Sequence, residues 1–188
     1  MKTTQVPYLL IYFRILCAFI IGTFGFIEFE WRDFSIISLM VLALVSDIFD
    51  GVIARKTGTD SARLRIWDST VDLFFWLVTI ATIFYLNQDF VMQHLFALLS
   101  VLFLELFCYF ICYIRFKRLV ATHTWLAKIW TLFLLVFLVD LCLHGQSFLP
   151  FILCIIFGLI SRLEINLIVL RLKKWRVDIP SIFHLQEH

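Results

Sequence analysis

Four aspartates in the N-terminal half of the chain have the spacing of paired carboxylates on helices. Asp47 and Asp50 are three residues apart, and Asp68 and Asp72 are four residues apart. On α-helices each pair lies on one face, about one turn apart. Carboxylates that meet at a partly dry site repel one another, so they require protons or cations. A pair of hard divalent ions, Mg²⁺ or Mn²⁺, fits four carboxylates.

The residues next to the first acidic pair leave space for a phosphate-containing ligand. Gly51 and Ala54 follow Asp47 and Asp50 by one helical turn, and their small side chains allow a bulky group to lie against the helix. Arg55 comes next, and a guanidinium is suited to bidentate contact with phosphate. Carboxylates, space and a guanidinium together indicate a diphosphate site.

The spacing of the aspartates alone leaves two other interpretations of the acidic pairs open. In the first, the nearby Arg55, Arg63 and Arg65 balance the acids in a structural ion network. In the second, the acids form part of a proton or cation pathway through a membrane. The spacing of the aspartates does not choose between metal chemistry and these alternatives.

The segments around these acids are strongly hydrophobic. The chain has 188 residues, 62% of them hydrophobic, with 22 Phe but only 6 Gly and 3 Pro. Its apolar runs continue for about 20 residues, the length that spans a hydrocarbon core as a helix. Strands of a membrane barrel would instead alternate polar and apolar residues. We expect an all-α integral membrane protein, and a net charge of +2 gives no indication of a nucleic-acid partner.

The hydrophobic runs predict six transmembrane helices, preceded by a short N-terminal interfacial segment. The predicted spans are approximately Tyr8–Ile27, Phe34–Ala54, Asp68–Leu86, Phe90–Ile114, Trp125–Leu143 and Phe148–Leu170. No long linker or repeat divides the sequence, so we expect one membrane-embedded domain over residues 1–188. The five cysteines lie inside the apolar runs, where we interpret them as reduced packing residues.

The distribution of basic residues predicts the orientation in the membrane. Lys and Arg collect between spans two and three, between spans four and five, and after span six. The positive-inside rule places these segments in the cytoplasm. We therefore expect a protein of the bacterial inner membrane with both termini and the acidic pairs on the cytoplasmic side. Arg14, in the first span, is expected near the same face with its side chain reaching toward the headgroups.

The acidic segment resembles the signature of the CDP-alcohol phosphotransferase (CDP-alcohol phosphatidyltransferase) family. The matching residues are Asp47, Asp50, Gly51, Ala54, Arg55, Asp68 and Asp72. Pro7, Leu10 and Arg14 are similar to a segment near the start of many members, and the six-span layout is similar as well. Leu64 departs from the pattern, because the family usually has a second glycine there. This departure would reshape the cytidine or acceptor pocket.

The resemblance implies a reaction and a role for each signature residue. A CDP-linked lipid, most often CDP-diacylglycerol, would dock its diphosphate on two divalent ions, Mg²⁺ or Mn²⁺. Asp47, Asp50 and Asp68 would be the main ligands, and Asp72, nearby or bridging, would act as general base toward an acceptor hydroxyl. The phosphatidyl group would pass to that hydroxyl and CMP would leave. The donor-binding residues would be Asp47, Asp50, Gly51, Ala54, Arg55 and Ser61.

The identity of the acceptor depends on a second group of residues. Arg115, Arg118 and Lys128 cluster around the turn between spans four and five, and Thr131 follows Lys128 by three residues. This resembles the K-x-x-T segment of members that use phosphorylated acceptors such as glycerol phosphate or inositol phosphate. The positive-inside rule alone would also place basic residues there.

The resemblance further implies a homodimer that acts in phospholipid synthesis. Two alternatives to this enzyme remain. One is a cation or proton transporter that uses the same acids. The other is a catalytically silent member of the family, which the departure at Leu64 leaves open.

Overall fold

The structure of the protein is a computed structural model that describes residues 6–58, 62–118, 124–175 and 179–185. Within these ranges all regular structure is helical. The helices are α1 (Val6–Phe24), α2 (Arg32–Thr57), α3 (Ala62–Leu86), α4 (Gln88–Gln93), α5 (Leu95–Phe116), α6 (Trp125–His144) and α7 (Leu149–Arg171). A short 3-10 helix, Ile182–Leu185, follows them.

Among the described elements, six helices are long and apolar enough to cross a membrane: α1, α2, α3, α5, α6 and α7. The mean hydropathy of their most apolar windows lies between 1.7 and 2.4. These helices confirm the prediction of an all-α membrane protein with six spans. The predicted interfacial segment falls largely on residues 1–5, which are outside the described ranges. Pro7 is tolerated because it lies in the first turn of α1, where its missing N–H would have no helical partner.

The fourth predicted span differs from the structure, because α4 and α5 are separate helices on either side of His94. The backbone N–H of His94 donates to the carbonyl of Phe90 at 3.1 Å. The imidazole of His94 also stacks on the Phe90 ring, with centroids 4.3 Å apart, and its Nδ1 lies 3.0 Å from the Phe90 carbonyl. Both hydrogen-bonding contacts are to the Phe90 carbonyl near the end of α4, and α5 then begins at Leu95.

The described chain forms two compact units, and the first contains α1, α2, α3 and Leu141–Leu143. In this unit α1 packs against both α2 and α3. Two glycines allow the close approach to α3. A Cβ on Gly22 would lie 3.3 Å from Val78 Cγ1, and a Cβ on Gly25 would lie 2.9 Å from Thr82 Cγ2. Larger residues at these positions would push α1 and α3 apart.

The second unit contains residues Asp89–Asp140 and His144–His188, and in it α5 packs against α7. Cys108 and Cys112 of α5 form a buried cluster with Ile165 and Val169 of α7. All five cysteines of the chain are buried thiols. This confirms the interpretation of the cysteines as packing residues.

Candidate active site

Both acidic pairs lie within about three helical turns of the connection between α2 and α3. At a rise of 1.5 Å per residue, the four aspartates lie about 9 to 15 Å from the helix ends that this connection joins. Arg14 lies about 12 Å from the start of α1, by the same rise. Since α1 packs against both α2 and α3, the three helices bring five charged residues to a similar depth.

The guanidinium of Arg14 lies among all four aspartates. Its Nη1 donates to Asp47 Oδ1 at 2.8 Å and also to Asp72 Oδ1. Its Nη2 donates to Asp68 Oδ1 at 2.5 Å and also to Asp50 Oδ2. The Arg14 residue is only 1% exposed. The acidic faces of α2 and α3 therefore meet at a side chain of α1.

The expectation that Arg14 reaches toward lipid headgroups is wrong. A guanidinium that leaves water needs polar or charged partners to replace its solvent contacts, and here four carboxylates do so. The contact was not predicted from the sequence. Its signal was present, however, because Arg14 is a single charged residue in an apolar helix at the depth of the acids.

Three of the carboxylates form a group that is suited to a metal ion. One oxygen from each of Asp47, Asp50 and Asp68 lies within 4.8 Å of the other two. Asp50 is buried, whereas Asp47 and Asp68 are partly accessible. Arg14 brings one positive charge to four carboxylates, so its charge cannot neutralise all of them. An all-oxygen donor set with excess negative charge fits Mg²⁺ or Mn²⁺.

The donor-binding residues predicted on α2 are only partly described. A Cβ added to Gly51 would meet no described atom within 4 Å beyond its own helix, so the surface of α2 beside the acids is open there. Ala54 and Arg55 lie in α2, but their side chains are outside the description, and Ser61 lies outside the described residues. The open surface at Gly51 is consistent with a ligand lying against this helix.

Leu64 lies in the core of the first unit. It is 4% exposed and packs with Ile11 of α1 and Val71 of α3. A glycine at this position would lack a side chain to fill the space between these residues. Leu64 therefore contributes to the contact that holds α1 against α3, and it lies four residues before Asp68 on the same helix.

Arg115, one of the predicted acceptor-binding residues, contacts the end of α7. Its Nη1 donates to the carbonyl of Val169 at 2.7 Å and also to the carbonyl of Leu170. Its Nη2 donates to the carbonyl of Leu172 at 3.0 Å. The last carbonyls of a helix have no partner inside the helix, and a guanidinium is well suited to satisfy them. Arg115 thus caps α7 in this structure.

The other predicted acceptor-binding residues lie near the end of α5 and the start of α6. The guanidinium of Arg118 lies 4.7 Å from the centre of the Trp175 ring, and the ammonium of Lys128 lies 5.1 Å from the centre of the Trp125 ring. Both residues are exposed. The hydroxyl of Thr131 donates to a carbonyl of its own helix at 3.0 Å. Their role in acceptor binding stays a prediction.

A second pair of charges lies within the spans of the second unit. Arg162 of α7 contacts Glu105 of α5 at 2.5 Å, and its guanidinium lies 4.5 Å from the centre of the Trp130 ring. Glu164 instead accepts a hydrogen bond from the Ser181 hydroxyl at 2.9 Å. The pairing of Arg162 with Glu105 was not predicted from the sequence.

Comparison with known proteins identifies the family to which the chain belongs. Searches of curated proteins and of solved structures found no significant match. A sequence model described as CDP-alcohol phosphatidyltransferase matches residues 4–168, a range that includes Arg14 and all four aspartates. Because the match extends over most of the chain, the protein belongs to the CDP-alcohol phosphatidyltransferase family.

Proposed function

We propose that the protein transfers a phosphatidyl group from CDP-diacylglycerol to a hydroxyl of a small phosphorylated acceptor and releases CMP. Family membership implies transfer from a CDP-alcohol. Beyond this family reaction, we propose CDP-diacylglycerol as the donor and glycerol phosphate or inositol phosphate as the acceptor. The observation that supports the transfer reaction is that the four signature aspartates converge on Arg14, where α1, α2 and α3 meet.

The aspartates are suited to hold the metal ions of the reaction, and the family is metal-dependent in general. In the proposal Asp47, Asp50 and Asp68 hold two Mg²⁺ or Mn²⁺ ions, with Asp72 beside them. Bound there, the ions would neutralise the donor diphosphate and stabilise the charge on departing CMP. The open surface at Gly51 supports a site for that diphosphate on α2. Ala54, Arg55 and Ser61 belong to the same proposed donor site.

Asp72 is the proposed general base. Its carboxylate takes the proton of the acceptor hydroxyl, and the hydroxyl oxygen forms a bond to the phosphorus that carries the lipid. The bond between this phosphorus and the oxygen of CMP breaks, and CMP leaves with the electron pair. The side chain of Asp72 is 26% exposed, which allows an acceptor to reach it.

A phosphorylated acceptor is supported by the basic residues of the second unit. Arg118 and Lys128 are exposed, and each lies over an aromatic ring that restricts its position. Thr131 lies one turn after Lys128 on α6. Arg115 caps α7 and would contribute through its remaining donors. The cytoplasmic orientation of the site rests on the positive-inside rule, and the proposed homodimer rests on the family resemblance alone.

The test of the proposal is CMP release by the purified protein in liposomes that contain CDP-diacylglycerol. The reaction is run with Mg²⁺ or Mn²⁺ and with glycerol phosphate, inositol phosphate, inositol, serine or no acceptor in turn. We expect metal-dependent CMP release with one of the two phosphorylated acceptors and no release in EDTA. Release that requires inositol or serine would contradict the proposed acceptor class. Protein that binds CDP-diacylglycerol but releases no CMP with any acceptor would contradict the proposed reaction.

A further inference from the structure

The oxygens that Arg14 contacts belong to the carboxylates that are suited to a metal ion. The guanidinium donates to Asp47 Oδ1, Asp50 Oδ2 and Asp68 Oδ1. These three residues also form the group whose carboxylate oxygens lie within 4.8 Å of one another. We infer that Arg14 is an internal competitor of the divalent ions, which holds the aspartates in the metal-free protein and is displaced from them when metal binds. This competition presupposes the proposed function, because it takes divalent ions as the partners of the aspartates.

Arg14 and a metal ion exclude each other at the oxygens that Arg14 contacts, for two reasons. A guanidinium N–H and a hard cation both use the lone pairs of a carboxylate oxygen. Both groups are also positively charged, and their repulsion is strong where water is scarce. Arg14 is 1% exposed, so little water is present to screen that repulsion. The guanidinium must therefore move away from these oxygens before an ion takes its place.

The position of Arg14 also explains how the first unit tolerates the acids without metal. Four carboxylates at one depth repel one another, and this repulsion would separate α2 from α3. Arg14 donates to Asp47 and Asp50 of α2 and to Asp68 and Asp72 of α3. It is carried by α1, the helix that packs against both. The arginine thus keeps the ligands close together for an ion that has not yet bound, at the cost of competing with that ion.

Arg162 provides a matched control for removal of an arginine from the spans. Its side chain is 12% exposed and contacts Glu105 at 2.5 Å, so its replacement also breaks an ion pair between two apolar helices. Its partner is in the second unit, whereas Arg14 contacts the aspartates of the first unit. Arg162→Gln therefore reproduces the general cost of losing a paired arginine from the spans without changing the aspartate group.

The experiment compares Mn²⁺ binding by wild type, Arg14→Gln and Arg162→Gln, each as purified full-length protein, by electron paramagnetic resonance of free Mn²⁺. We expect the Kd for Mn²⁺ to fall about tenfold in Arg14→Gln, a coupling of ordinary size between two ligands of one site. The Kd of Arg162→Gln should match that of wild type.

Thermal unfolding is followed with a thiol-reactive dye, since the five cysteines become reactive only when the protein opens. Arg14→Gln should unfold at a lower temperature in EDTA, and Mn²⁺ should recover more stability than it does in wild type.

Other outcomes would contradict the inference that Arg14 competes with the ion. If wild type binds Mn²⁺ and Arg14→Gln binds it equally or more weakly, Arg14 does not compete with the ion, while the proposed metal-dependent transfer stands. If neither protein binds Mn²⁺, both the competition and the metal-dependent transfer fail.

Should Arg14→Gln not fold, Arg14→Lys replaces it in the same comparison. An ammonium keeps the charge but cannot present the five donors of a guanidinium to four carboxylates, so tighter Mn²⁺ binding is again expected.

Discussion

At the scale of single residues, the four aspartates are not equivalent. Asp47, Asp50 and Asp68 bring oxygens close enough together to share one ion. Asp72 joins this group through its contact with Arg14 Nη1. Asp72 is also partly exposed, whereas Asp50 is 4% exposed. A carboxylate at the edge of the metal group is better placed to accept a proton from a second substrate than one enclosed within it.

Replacement of Asp72 by Asn is expected to separate proton transfer from ligand binding. Asn keeps the size of the side chain and one oxygen, but it cannot accept the proton of the acceptor hydroxyl. We expect CMP release to fall about 10²- to 10⁴-fold, the usual contribution of a general base. Mn²⁺ and CDP-diacylglycerol binding should persist, whereas Asp68→Asn should weaken Mn²⁺ binding as well.

The control for this prediction is Asp140→Asn in the second unit. Asp140 pairs with His144 at 2.9 Å and lies outside the aspartate group, so its replacement should leave CMP release close to the wild-type rate. Undiminished CMP release by Asp72→Asn would exclude Asp72 as the base.

At the scale of elements, two glycines of the first unit have opposite surroundings. A Cβ on Gly25 would lie 2.9 Å from Thr82, where α1 meets α3. A Cβ on Gly51 would meet no described atom within 4 Å beyond α2 itself. The first glycine is therefore required for packing, and the second leaves a surface of α2 open beside the aspartates.

Leucine substitutions at these glycines are expected to have different consequences. Gly25→Leu should destabilise the protein by about 1–3 kcal/mol, as overpacking of a tight contact does. Gly51→Leu should leave the unfolding temperature unchanged but raise the KM for CDP-diacylglycerol, because the side chain occupies the proposed donor surface. Thiol-dye unfolding and CMP release measure the two effects on the same samples. A large loss of stability in Gly51→Leu would show that this surface is packed rather than open.

The elements also show what the sequence could and could not predict. The apolar runs predicted six spans, because an unbroken apolar run of about 20 residues can cross a bilayer as a helix that satisfies its own backbone hydrogen bonds. The i, i+3 and i, i+4 spacings predicted that the aspartates share helix faces. The contact of Arg14 with these aspartates, and that of Glu105 with Arg162, depend on how each helix is rotated toward its neighbours. A span that is apolar on all sides contains no periodic signal for that rotation.

At the scale of the whole molecule, the connections alternate in charge. Lys and Arg are concentrated at the α2–α3 and α5–α6 connections and after α7, whereas the segment between α6 and α7 has none. In the second unit, α6 and α7 run between these two kinds of segment. The exposed Gln146 therefore marks one side of the membrane and the exposed Lys174 marks the other.

Single cysteines at these two positions should report the orientation of the protein. The native cysteines are all buried, so wild-type protein in intact cells should give little background with a membrane-impermeant thiol reagent. We expect Gln146→Cys to react in intact cells, and Lys174→Cys to react only after the membrane is permeabilised, because the positive-inside rule holds the basic end in the cytoplasm. The reverse pattern would place the basic segments outside, and CDP-diacylglycerol would then have to be used on the face opposite to the one that we propose. Equal labelling of both variants in intact cells would show that α7 does not hold these two positions on opposite sides of the membrane.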